Sequence, residues 1–520
     1  MRRIQSWPGT IHNAPDLSFF AAIVLAALIL LVTLLLPLGF DNDVYQSMGW
    51  TLWAYHGLPY LASWDMNFPG IVFVHATSIA LFGNSDLGFR IFDYLVHVAM
   101  SGMLYLILRH WLDKRESLLA VLLSTLYYTS GQWGLAGQRD EYALFFILAG
   151  TLLLLSMRER GISRMHSLAL GVCAGAAVMV RPTYIFFAGS FLLLLTDLSG
   201  KRTAISFFLA GISILWIVFL APYLFITGGF EQVYNSIVRF NLDVYSSVVI
   251  PRTFFSLRSD LIYLLALAGI LCLVFVPSND IRSRRMTWWD RKLLVLYAIG
   301  AILSPVVMGK YFSYHLQPII LVLLVLSAVG LTRITRLLRP VHMELPVLGL
   351  AVALFAFGFY PRHLVRYYFD GWNTAHPLDY TYERVLSDSL SGLRAQTEVI
   401  NYIDRRTGLG SPIEYATLFP ALHWRLGHPS ATRFTTLIPL APSLQAAPSY
   451  IMSWRHEYIA SLAEVRPSFI ILSRSHEWWP FVQAYADTIV HQIPGFDSLL
   501  GVNYNLDTVI RGYTLYQSKQ

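Results

Sequence analysis

Residues 17–45 read LSFFAAIVLAALILLVTLLLPLGFDNDVY. The run from Leu17 to Leu38 carries no charge and ends abruptly on Asp41-Asn42-Asp43. About 20 apolar residues cross a bilayer core, so this run predicts a first membrane span. It is too long for the apolar core of a cleaved signal, and no small-residue cleavage site follows it. Further apolar runs lie at about 87–108, 117–132, 139–156, 165–180, 183–197, 203–226, 257–276, 293–309, 313–331 and 344–360. The predicted fold class is a polytopic α-helical membrane protein of about 11 spans.

Composition agrees. The chain is 55% hydrophobic and 13% charged, about half the charge of an ordinary globular protein, so lipid must cover much of its surface. Cys173 and Cys272 each lie within an apolar run, which fits packed membrane cysteines rather than a disulfide framework.

The +7 net charge could suggest a nucleic-acid partner, but its placement argues otherwise. With Arg2 and Arg3 inside, the loops predicted inside carry Arg109, Lys114 and Arg115; Arg158, Arg160 and Arg164; Lys201 and Arg202; Arg282, Arg284, Arg285, Arg291 and Lys292; and Arg333, Arg336 and Arg339. The first outside loop, Asp41 to Asp86, has no Lys or Arg at all. Lys and Arg accumulate on cytoplasmic loops, so the basic excess is a topology signal. An odd span count exports the C-terminus. From Pro361 the long apolar runs stop, and two domains are expected: a membrane domain over 1–360 and an extracytoplasmic α/β domain over 361–520. In the latter, Val385–Arg406 and Ser449–Val465 predict helices, and Ile413–Leu418, Ser468–Ser473 and Thr508–Gln517 predict strands.

The two long outside loops predict amphipathic surface helices over Asp43–Tyr55 and Phe230–Phe240. Trp50, Trp53, Tyr55, Tyr60 and Trp64 suit the depth of lipid headgroups. Asp41 and Asp43 directly follow the first span, where a carboxylate is either a helix N-cap or a base able to take a proton from a hydroxyl. Gln138-Arg139-Asp140-Glu141 opens the fourth run. Charges entering an apolar segment are costly and mark either a capped, ion-paired helix start or a functional site. Arg181, Lys310 and His315 stand on the same outer side, with Arg239, Arg252 and Arg258 in the second long loop. Cations on the face that should lack them suit an anionic ligand such as a phosphate, or snorkel to lipid headgroups. No His-x-x-x-His spacing, P-loop or dinucleotide fingerprint occurs. No cofactor is expected, although a carboxylate-only divalent-cation site at Asp43 and Asp140 stays open.

Several strings in order resemble the GT-C glycosyltransferases, in particular bacterial relatives of protein O-mannosyltransferase and of the lipid A aminoarabinose transferase. They are Asp41-Asn42-Asp43-Val44-Tyr45, Gly57-Leu58-Pro59-Tyr60, Trp64-Asp65 with Pro69-Gly70, Leu81 to Arg90, and Tyr314-His315-Leu316-Gln317-Pro318. The resemblance implies transfer of a sugar from a polyprenyl-phosphate donor to a glycan, lipid or protein acceptor outside the cytoplasm, in a bacterial inner membrane. It implies that Asp43 is the base, with Asp140 or Glu141 orienting acceptor or base. Arg139, Arg181, Lys310 and His315 would face the donor phosphate, and Asp41, Tyr45, Asp65, Asn67, Arg239, Tyr314 and Gln317 would complete the binding region. One departure stands out: the Lys that many relatives carry before a Pro pair is absent from Asn67-Phe68-Pro69, and Lys310 or Arg139 is the expected substitute. The rival readings are a lipid-linked sugar flippase, a polysaccharide polymerase or ligase, and a receptor or scaffold.

Overall fold

The computed structural model describes residues 17–130, 136–247, 267, 270, 286–310, 312–338, 340, 342–374, 376–386, 393–408, 410–418, 420–441, 448–473, 476–479 and 482–519. The chain packs as two compact units. The first comprises 1–33, 93–218 and 251–361, and the second 34–92, 219–250 and 362–520.

Among the described residues, six helices are long and apolar enough to cross a membrane: Leu17–Leu35, Asp86–Leu108, Arg139–Arg160, Lys201–Leu224, Trp288–Met308 and Tyr314–Leu337. A seventh is counted if Glu344–Phe359 and Arg362–Asp370, bent by 61°, form one span. The expected runs at 165–180 and 183–197 form the shorter helices Arg164–Val180 and Pro182–Leu195. The run at 117–132 falls in the helix Lys114–Ser130, whereas 257–276 lies outside the described residues except for Leu267 and Ile270. Gly70–Phe82 is an apolar helix that the span reading passes over, because its 13 residues are too few to cross.

In the first unit, small residues set the helix spacing. A Cβ on Gly171 would lie 2.0 Å from the Phe208 carbonyl oxygen, and one on Gly211 would lie 2.3 Å from that of Leu168. The helices Arg164–Val180 and Lys201–Leu224 therefore touch backbone to backbone, a contact that membrane interfaces favour because lipid supplies no hydrophobic drive between helices. Charged ends are tied to one another. Arg333 meets Glu116 at 3.2 Å, Arg115 meets Glu344 at 2.6 Å, and Arg336 and Arg158 pair with Asp113 and Asp290. Thr287 and Asp290 form a capping box that starts the helix Trp288–Met308. Arginines that mark sidedness in the sequence are thus also structural ion-pair members.

The second unit holds the α/β portion. Its sheet runs in the order Ile413–Ala416, Phe469–Ser473, Tyr513–Ser518, Tyr504–Ile510, with the first pair parallel and the others antiparallel. The expected single final strand is a hairpin: Arg511 (φ 44°) and Gly512 (φ 89°) both take the left-handed backbone that a tight two-residue turn requires. The alternation of Phe469 and Ile471 with Ile470 and Leu472 feeds two cores. One is built on Val399, Ile403 and Leu515, and the other on Trp454, Tyr458 and Leu462. Ser449–Val465 is helical as expected. The expected helix over Val385–Arg406 is two helices, Pro377–Leu386 and Leu393–Asp404, with 387–392 outside the described residues.

Two surface expectations change. Trp64 (1% exposed) and Tyr60 (0%) are core residues rather than headgroup anchors, while Trp53 remains half exposed. Trp64 packs with Phe240 and Trp454, and its backbone N–H donates to the Arg433 carbonyl at 2.7 Å. The helix Phe40–Tyr55 is buried from Asn42 through Gly49, with no wet face over that stretch. It lies so close to Gly70–Phe82 that a Cβ on Gly49 would meet the Ala76 nitrogen at 2.9 Å. The stretch 230–240 is helical as expected, as Gly229–Tyr234 followed by a π turn over Asn235–Arg239.

Candidate functional site

The second unit contains the acidic motif. The N-cap of the helix Phe40–Tyr55 is Gly39, without a side-chain cap bond, so Asp43 is not a capping residue. It sits one turn inside the helix, its N–H donating to the Gly39 carbonyl at 3.0 Å, and its side chain is buried. The Asp41 side chain lies outside the described residues.

The short helix Ala421–Leu426 covers Asp43 from the C-terminal portion. The Trp424 indole N–H donates to Asp43 Oδ1 at 2.9 Å, and Arg425 donates to Asp86 at 2.9 Å. His423 Nδ1 bonds the Ser47 hydroxyl, and Asn84 Nδ2 donates to the Trp424 carbonyl at 2.7 Å. Asp86 also accepts the Leu38 N–H at 2.8 Å, and Arg90 donates to the carbonyls of Leu36, at 3.0 Å, and Pro37. Asp43, Asp86 and Arg90, all buried, and the partly buried Arg425 thus form a group of balanced charge. The direct guanidinium bonds go to Asp86 and to backbone, whereas Asp43 receives a neutral indole donor. Burial pushes the Asp43 carboxyl up to about 7 against the pull of Arg425 and the Trp424 bond. That is the range a general base needs near neutral pH. His423, Trp424 and Arg425 are absent from the sequence-derived site, and no local signal marks them.

The Asp65 motif forms its own cluster. Asn67 Nδ2 donates to Asp65 Oδ2 at 2.9 Å and to the Tyr45 hydroxyl at 3.2 Å, and Asn241 Nδ2 donates to the Met66 carbonyl at 2.6 Å. The position where relatives carry Lys therefore holds an amide facing a carboxylate. Arg239 lies apart from these groups, 3.7 Å from Asp243 and over the Tyr450 ring at 4.5 Å. Arg252 and Arg258 lie outside the described residues.

The first unit gathers the cations. Arg139, Asp140 and Glu141 open the helix Arg139–Arg160, whose N-cap Gln138 makes no side-chain cap bond. Arg181 ends the helix Arg164–Val180 and approaches Asp140 at 3.3 Å, both buried. Asp140 thus has a tertiary cation as a partner. Arg181 also contacts Met308 Sδ at 2.6 Å. Lys310 follows Gly309, whose left-handed backbone (φ 62°) ends the helix Trp288–Met308. The His315 Nδ1 bonds the Lys310 carbonyl at 2.7 Å, and Tyr314 packs edge-on against His315. Burial and the nearby Arg181 lower Lys310 to about 8. Glu141 Oε1, His315 Nε2 and Gln317 Nε2 are buried without a hydrogen-bond partner among the described residues. Glu141 and Gln317 line a cavity of about 60 Å³ together with His97 and Tyr128, large enough for water. Asp93, absent from the sequence-derived site, accepts from Tyr128 at 2.7 Å and Tyr142 at 2.9 Å. A lone acid within an apolar run was its only signal. Among the described residues no group of three or more His, Cys, Asp or Glu could hold a metal ion.

Comparison with known proteins places these groups on a known fold. Residues 66–226 match the family model of dolichyl-phosphate-mannose-protein mannosyltransferases. ArnT from Cupriavidus metallidurans, solved bound to undecaprenyl phosphate, superposes with a TM-score of 0.58 at 13% identity over 96% of this chain and 97% of that one. The Archaeoglobus fulgidus oligosaccharyltransferase, solved tethered to an acceptor peptide, gives 0.53 at 12% identity over 96% of this chain and 74% of that one. No curated protein matches the chain in sequence. The match over 66–226 and the superposition over nearly the whole length agree: this chain has the GT-C fold.

Proposed function

We propose that the protein is a membrane glycosyltransferase that moves a sugar from a polyprenyl-phosphate donor to an acceptor hydroxyl, with inversion. The observation that carries this reading is the buried Asp43 carboxyl, held at one oxygen by Trp424 and titrating near 7, on a fold shared with a protein solved bound to undecaprenyl phosphate. Asp43 takes the acceptor proton, the acceptor oxygen bonds the anomeric carbon, and the anomeric C–O bond to phosphate breaks with its electron pair going to the phosphate. General-base help of this kind contributes roughly 10²–10⁴-fold. In the first unit, Arg181, Lys310 and Arg139 suit a phosphate by charge-assisted bonds, with the His315 ring as a hydrogen-bonding neighbour. The charge map supports an N-terminus in the cytoplasm and 361–520 outside it, the apolar runs support eleven spans, and the resemblance supports a bacterial inner membrane. The acceptor class is a glycan, a lipid or a protein.

The test uses the full chain in nanodiscs with a panel of undecaprenyl-phosphate hexoses and pentoses, following release of undecaprenyl phosphate. Turnover in the wild type and its loss in Asp43→Asn are expected. Equal turnover in the variant would remove Asp43 from the base role. No release from any donor would favour a flippase, or a polymerase or ligase that uses oligosaccharide donors.

A further inference from the structure

We propose that the helix Ala421–Leu426 completes the base: Trp424 is a positioning residue that fixes the Asp43 carboxylate, and Arg425, through Asp86, sets its electrostatic surroundings. This rests on the reading of Asp43 as base. It assigns a role in the chemistry to the C-terminal portion, beyond that of a cover.

The geometry is specific. Trp424 is 2% exposed, and its single N–H points at Asp43 Oδ1 at 2.9 Å. Among the described residues no side chain bonds Oδ2, so the indole leaves one oxygen for the acceptor proton. An indole donor suits this task, because it orients a carboxylate without adding a full charge that would quench its basicity. The helix is anchored on both sides of Trp424, by His423 on Ser47 and by Arg425 on Asp86. Asn84 holds the Trp424 carbonyl, and Gln46 holds Asn84 at 2.8 Å. Gln46 in turn meets His75 at 2.8 Å. The indole thus sits beside a chain of buried and partly buried polar bonds that restricts its orientation. The charged groups that act on Asp43 are Arg425 on this helix and Asp86 and Arg90 on the helix Asp86–Leu108; His423 on this helix bonds Ser47, and Tyr382 faces Asp86 and bonds the Leu34 carbonyl at 3.2 Å. Trp424 and Arg425 both favour the ionised form of Asp43. Removing either must raise the pH at which the base becomes available.

The experiment needs no sugar substrate. Dicyclohexylcarbodiimide couples to protonated carboxyls in apolar surroundings, so the pH dependence of its adduct on Asp43, read by peptide mass spectrometry on the full chain in nanodiscs, reports the titration directly. Half-labelling near pH 7 is expected for the wild type, with an upward move of at least about half a unit in Trp424→Phe and in Arg425→Gln, and recovery in Arg425→Lys. A shift of one unit leaves about tenfold less ionised base at pH well below the midpoint. A merely structural role for Trp424 would lower thermal stability and leave the midpoint in place. Arg425→Gln decides the matter should Trp424→Phe not fold. Unmoved midpoints overturn the proposal, as does the absence of any Asp43 adduct between pH 5 and 9. A moved midpoint in a protein that turns over no lipid-phosphate sugar would sink the transferase reading, and with it the role in the chemistry, and leave only the control of Asp43 by Trp424 and Arg425.

Discussion

Asp43 and Asp140 are both buried acids in the first turns of helices, yet they are held in opposite ways. Asp140 faces Arg181 at 3.3 Å, charge against charge. Asp43 is met by the neutral indole of Trp424, while the guanidinium of Arg425 bonds Asp86 beside it. A carboxylate faced by a cation is oriented by it. One given only a neutral donor keeps a proton affinity near neutrality and can exchange protons. The two acids differ in partner, a guanidinium for Asp140 and an indole for Asp43.

The comparison breaks most visibly at Asp43 itself. Asp43→Asn is expected to lower turnover by roughly 10²–10⁴-fold while keeping the fold. The sign of its stability effect also follows. A folded-state carboxyl raised to about 7 holds its proton where the unfolded chain has lost it, so stability declines as pH rises from the ordinary carboxylate range to about 7. Thermal unfolding of Asp43→Asn should show no such decline, and the variant should be the more stable protein above pH 7.

Arg181→Leu should do the reverse. It leaves Asp140 buried without its cation, at a cost of about 3–5 kcal/mol. Arg181→Leu combined with Asp140→Leu should regain most of the unfolding temperature without regaining donor binding, measured with undecaprenyl phosphate. Full recovery of binding would show that Arg181 serves packing alone.

A packing change in the same unit should leave the pH behaviour untouched. Gly211→Ala forces a Cβ to within 2.3 Å of the Leu168 oxygen and should cost about 1–3 kcal/mol by overpacking, with the pH profile of turnover unchanged. The smallest effect concerns Lys310, lowered to about 8. Its cationic form fades above that pH, so donor affinity should weaken severalfold between pH 7.5 and 9 as phosphate contacts are lost, giving with Asp43 a bell-shaped kcat/KM. Lys310→Arg should flatten the alkaline limb.

Much of this was legible along the chain. A run without charges longer than a bilayer, a cation-free first loop and an acidic motif after the first span are local patterns, and they pointed to the fold and made Asp43 the proposed base. The helix Gly70–Phe82 escaped because 13 residues match no span. Tyr60 and Trp64 were read as headgroup anchors because an aromatic ring in a loop looks the same whether lipid or protein covers it. Asp93 escaped because its value lies in two tyrosines that reach it across 35 and 49 residues of chain.

The sequence by itself determined a many-span chain with a folded C-terminal portion, because hydrophobic length and charge asymmetry act on each segment separately. Only the tertiary structure decided that Asp140 meets Arg181 from another helix, and that Asp43 is gripped by a tryptophan 381 positions away. Burial and hydrogen bonding depend on which surfaces the fold brings together. No periodicity in a single chain encodes which indole will meet which carboxylate.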